Sequence, residues 1–60
     1  MTCADVLRFI EQHLTKSQYR CWSEYYGIRR QTSGVIASAR GALFDCGFDR
    51  VGAELKAALR

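Results

Sequence analysis

The stretch whose reading decides the fold runs from Ser17 to Gly47, SQYRCWSEYYGIRRQTSGVIASARGALFDCG, with the pair Gly27-Ile28 as its pivot. On both sides of that pair apolar residues recur at helical spacing. Glycine tolerates the left-handed backbone that ends many helices, so Gly27 reads as the end of one helix and Ile28 as the entry to the next. The expected order is a helix to about Tyr26, a tight turn, and a helix from about Arg30 or Thr32 to Cys46, closed by Gly47. Arg20, Arg29, Arg30 and Arg40 lie in or beside this unit.

Upstream of Trp22, Thr15-Lys16-Ser17-Gln18 offers a T-x-x-Q capping signature, with Ser17 as a rival cap. Tyr19, Trp22 and Tyr26 follow at i, i+3 and i+7, with Tyr25 alongside. This aromatic face has two readings. Trp22 and Tyr19 pack against the first helix as core, or Tyr19, Trp22, Tyr25 and Tyr26 anchor a partner, because such rings bury much area at low entropy cost and keep a polar tip. Beyond the pivot, Val35, Ile36, Ala39, Leu43 and Cys46 form an apolar stripe; Gly34, Ala37, Ser38, Gly41 and Ala42 make the rest of the helix narrow. A glycine inside a helix costs about 1 kcal/mol relative to alanine. Gly34 and Gly41 are therefore expected to admit a close backbone or to mark a bend.

The ends of the chain read as helices too. Thr2 and Asp5 make a T-x-x-D start, followed by the stripe Cys3, Val6, Leu7, Ile10 and Leu14. His13 sits near the edge of that stripe and is expected to be partly buried. Phe9 points off it, toward an interface or the C-terminal helix. Asp49 reads as an N-cap with Phe48 as a staple toward Ala53. Val51, Leu55, Ala58 and Leu59 then line a short helix whose negative end suits Lys56 and Arg60. There is no proline, no strand-like alternation and no run near the ~20 apolar residues of a membrane span. The expectation is an all-α single domain, residues 1–60, of three to four helices with a helix-turn-helix-like centre.

Sixty residues bury only about 60% of the surface of the unfolded chain, so stability needs support. Three cysteines, Cys3, Cys21 and Cys46, are odd in number and follow no signal peptide, which points to a reducing cytoplasm rather than disulfides. With His13 as the only histidine they never reach metal-ligand spacing, and no metal or other cofactor is expected. Self-association is left, and 48% hydrophobic residues give a homodimer apolar surface to use. The net charge of +3 is concentrated centrally: residues 15–42 carry Lys16, Arg20, Arg29, Arg30 and Arg40 against Glu24 alone. Such a segment attracts polyanions, or forms an ordinary solvated face.

Trp22, Ser23, Tyr26, Gly27, Ile28 and Ile36 together resemble the broad helix-turn-helix family, in which a small residue faces the partner helix and glycine followed by an apolar residue makes the turn. Ser33 departs from it, where such motifs bury valine or isoleucine. The resemblance implies a reading surface of Arg29, Arg30, Gln31, Thr32 and Val35 at the start of the third helix, set in the major groove. Lys16, Arg20 and Arg40 would hold phosphates. Leu14-Thr15-Lys16-Ser17-Gln18, Gln31-Thr32 and Ala39-Arg40-Gly41 are in addition similar to plasmid-encoded KorA or TrfB-type repressors. In that family the DNA-reading helices lie downstream of these blocks, so no contact residue carries over.

The leading expectation is a DNA-binding transcriptional regulator of phage or mobile-element type, with single-stranded RNA as a variant through stacking on Tyr19, Tyr25 or Trp22. The alternative is a small helical inhibitor or adaptor that binds a protein through its aromatic and basic surface. Neither a catalytic constellation nor a phosphate loop is spaced into the chain, so no enzymatic role and no small-molecule substrate is expected.

Overall fold

The structure, a computed structural model, describes residues 1–59. It contains four helices: α1 Cys3–His13, α2 Lys16–Arg29, α3 Val35–Asp45 and α4 Asp49–Ala58. No strand occurs among the described residues, and the expected all-α class holds. Arg60, expected at the negative end of α4, lies outside them.

Both capping signatures form. Thr2 Oγ1 accepts the Asp5 amide while the Asp5 carboxylate accepts the Thr2 amide, and Thr15 and Gln18 repeat the exchange at the start of α2. Thr15, not Ser17, is the cap. Each box satisfies two N–H groups that a helix start would otherwise leave to water. The end of α3 is equally local in origin. Gly47 has φ 78°, the Phe48 amide donates to Leu43 O and the Gly47 amide to Phe44 O, the paired bonds of a Schellman stop. Replacing Gly47 with alanine forces a side chain into left-handed backbone. A loss of about 1–2 kcal/mol is expected, read from the urea midpoint of the variant; an unchanged midpoint would mean that the turn relaxes.

α3 is the hub, packed against α2, α4 and α1, while α1 also meets α4. The core is Val6, Ile10 and Leu14 from α1 and its C-cap, Trp22 from α2, Ala39, Ala42 and Leu43 from α3, and Leu55 from α4. Trp22 is 2% exposed and donates Nε1–H to Ala39 O at 3.1 Å. Trp22 is thus core, as one of the two sequence readings has it, but α2 packs chiefly against α3 where that reading expected the first helix. Ser38, also fully buried, donates to Ser33 O.

Several expectations fail for one reason: the neighbours decide what the local pattern leaves open. Gly27 does not end a helix. α2 runs on to Arg29, and Gly27 sits inside it, exposed, with a normal negative φ. Trp22, Tyr26 and Arg29 share one face toward α3, so packing sustains the helix past the glycine, which costs only about 1 kcal/mol. The turn is residues 30–34, closed by the Arg30, Gln31, Thr32 and Ser33 amides bonding back to Tyr26, Ile28 and Arg29 carbonyls. α3 starts only at Val35, with Gly34 as an N-cap that has no side-chain bond. Phe48, not Asp49, is the N-cap of α4; Asp49 is its first residue. Cys3 and Ala58, placed on apolar stripes by spacing, are exposed.

Candidate functional site

The expected site residues divide into three groups once placed. Trp22 belongs to the core, and Tyr26 stacks on it at 4.8 Å between ring centroids. Tyr19 tilts against the other side of Trp22 at 5.3 Å and is 38% exposed. It borders a surface hollow with Glu11, Leu14, Thr15 and Lys16. Of the four expected partner anchors, therefore, Trp22 is unavailable, Tyr26 is half-buried, and Tyr19 and Tyr25 present rings to solvent. Ile28, one turn beyond Tyr25, is 62% exposed. A helix-turn-helix of the expected register would bury it.

Arg29 and Arg40, both in the expected nucleic-acid set, are engaged by the protein itself. Arg29 grips Asp45 through two bonds, Nε to Oδ2 at 2.6 Å and Nη2 to Oδ1 at 2.8 Å, tying the end of α2 to the end of α3. Its guanidinium lies over Gly41, where an added Cβ would come within 2.6 Å of Arg29 Cζ. Gly41 thus admits a side chain, not the backbone or bend expected from its sequence position. Arg40 is half-buried and its Nε is enclosed without a hydrogen-bond partner.

Lys16, Arg20, Arg30, Gln31 and Thr32 are all exposed. Lys16, Arg20, Ser23, Gly27 and Arg30 follow at spacings of four, three, four and three, one stripe of α2 and its C-cap. From first to last this spans about 21 Å at the helical rise. Two ion pairs are present among the described residues, Arg29–Asp45 and His13–Glu54, and neither draws on the stripe. Gly27 and Ser23 keep it low between its charges. Arg30 also donates to Ser33 O, which steadies the turn that carries Gln31 and Thr32. No protein-family model, curated protein or solved structure matches the chain.

Two further clusters lie outside the expected set. His13 is exposed, contrary to expectation; its Nδ1–H donates to Phe9 O at 2.8 Å, its ring stacks on Phe9 at 3.9 Å, and Nε2 lies 3.8 Å from Glu54 of α4. Cys21 of α2 and Cys46 at the end of α3 face each other with sulfurs 3.4 Å apart. An odd cysteine count conceals such a pair.

The Arg29 hydrogen bonds hold the Asp45 carboxyl below the usual carboxylate range and raise the Arg29 pKa. A depressed folded-state pKa gives stability that is present above the unfolded value, near 3.9, and lost as pH falls through the folded one. Asp45→Asn is therefore expected to lower Tm at neutral pH and to match the wild type in strong acid, followed by thermal melts across that range. A gap between the two that persists at pH 2 would assign the effect to something other than the charge.

Proposed function

We propose that this chain is a small DNA-binding module that meets the phosphate backbone with the Lys16–Arg20–Arg30 stripe of α2. The observation that carries this reading is the stripe itself: three exposed cations on one helical face, without carboxylate partners among the described residues and separated by small residues. Counterion release on neutralising phosphates supplies most of the affinity of such a surface. Gln31 and Thr32 are exposed at the adjoining turn, and in this reading they touch base edges. This moves the contact surface from the start of α3, the expected reading helix, to α2 and the turn, because α3 is the buried hub of the fold. Size and charge suit a transcriptional regulator of the kind mobile elements carry, acting as a homodimer in the cytoplasm.

The test is binding of random duplex DNA followed by light scattering and titrated against salt. Replacing Lys16, Arg20 and Arg30 together by alanine removes three phosphate contacts, so the slope of log K against log salt is expected to flatten by about 2.7. Circular dichroism should stay unchanged. Arg29→Ala, which removes a cation already held by Asp45, is expected to leave that slope alone. Wild-type affinity and slope in the triple variant would sink the proposal.

A protein partner is the second reading, favoured by one observation. Tyr25 and Ile28 are one turn apart on α2 and respectively 40% and 62% exposed, a pair of large side chains nearly opposite the basic stripe on the same helix. A particle whose mass ignores duplex DNA at low salt would direct the search to that face.

A further inference from the structure

We infer that Cys21 and Cys46 form an intramolecular disulfide site that fastens α2 to the end of α3 when the protein meets a low-molecular-weight disulfide. The two thiols come from residues 25 apart in sequence, and the folded chain holds their sulfurs 3.4 Å apart. A disulfide needs about 2.05 Å, so closure asks for a movement of roughly 1.4 Å shared between two helices. Cys46 is well placed to supply it: it is the C-cap of α3, followed directly by Gly47, with no further helical turn to carry along. Both cysteines are half-buried, open enough for a small reagent and packed enough to face each other. Cys3, the remaining thiol, is exposed at the start of α1.

The chemistry is thiol–disulfide exchange, with glutathione disulfide as the oxidant. The Cys21 thiolate attacks one sulfur of glutathione disulfide, forming a mixed disulfide and releasing one glutathione thiolate. Cys46 then gives its proton to solvent and attacks Cys21 Sγ, releasing the second glutathione. Two protein thiols are oxidised to one disulfide, and one glutathione disulfide is reduced to two thiols. Burial pushes the Cys46 thiol up to about 11, which makes its thiolate scarce; the 3.4 Å approach to Cys21 offsets this in the second, intramolecular attack. The inference is independent of the partner that α2 binds.

The experiment uses the full chain carrying Cys3→Ser, which removes the exposed thiol and with it intermolecular bridging. The protein is equilibrated with mixtures of reduced and oxidised glutathione, in buffer and in urea, then acid-quenched and weighed intact. In buffer the product is expected to be lighter by two hydrogens, with peptides bearing Cys21 and Cys46 linked. The effective concentration of one thiol toward the other should be about three hundredfold higher in buffer than in urea, matching the stabilisation typical for a loop of this length. The oxidised form should melt roughly 10 °C or more above the reduced form. Glutathione adducts that persist on Cys21 with Cys46 still free, or an equal effective concentration in buffer and urea, would overturn the inference.

Discussion

Trp22→Ala is expected to leave the chain unfolded in buffer, without a cooperative melting transition and with most of its helical circular dichroism lost. Trp22 is among the largest fully enclosed side chains, is flanked by the Tyr19 and Tyr26 rings, and is hydrogen-bonded to α3. Truncating such a residue costs about 3–5 kcal/mol. A domain of this size has only about 3–5 kcal/mol in total, so the one substitution consumes the margin. Trp22→Phe separates the two contributions. It keeps most of the packing and deletes the Nε1–H donor, and should cost about 1 kcal/mol for the bond itself, with the fold retained. A Trp22→Ala protein that keeps its helicity and melts near the wild type would contradict the placement of α2 against α3.

The second large effect is expected at Leu55. α4 has ten residues and buries Gly52 and Leu55, with Val51 and Leu59 half-buried against the core. A helix that short has little stability of its own. Leu55→Ala removes its fully buried anchor and is expected to cost about 2–5 kcal/mol, lowering Tm by roughly 10 °C or more. Amide exchange should accelerate first across residues 49–58, as α4 loosens from α3. A drop of only a degree or two, with uniform exchange, would show α4 to be an appendage. Gly52 makes the same point sterically, because Phe44 lies over it and an added Cβ would meet the ring at 2.8 Å. Spacing arguments do not single out Gly52, since what covers it comes from another helix.

The legible parts of the fold are those whose cause lies within a few residues. Thr2 with Asp5 and Thr15 with Gln18 act across three positions, and both boxes form. Gly47 stops α3 because only glycine accepts that backbone without strain, and Val6, Ile10 and Leu14 are buried as their period requires. Gly27 was misleading because a local preference worth about 1 kcal/mol is outweighed by Trp22, Tyr26 and Arg29 all engaging one neighbour. The candidate surface divides in the same way. That residues 15–42 are basic is plain from the sequence, but which cations remain free is not. Asp45, sixteen residues away, takes Arg29, and the packing around α3 encloses part of Arg40.

The sequence by itself determined that this is a proline-free helical chain, where three of its helix boundaries fall, and that its charge is central, since caps, periodicity and composition act over a turn or two. Only the tertiary structure decided that α3 is the hub, that α2 passes through Gly27, that Cys21 meets Cys46, and that Lys16, Arg20 and Arg30 are the basic residues left on one open face. Each of these depends on which surfaces of two helices exclude water from one another, and a contact between residues 16 or 25 positions apart leaves no periodic trace in either helix.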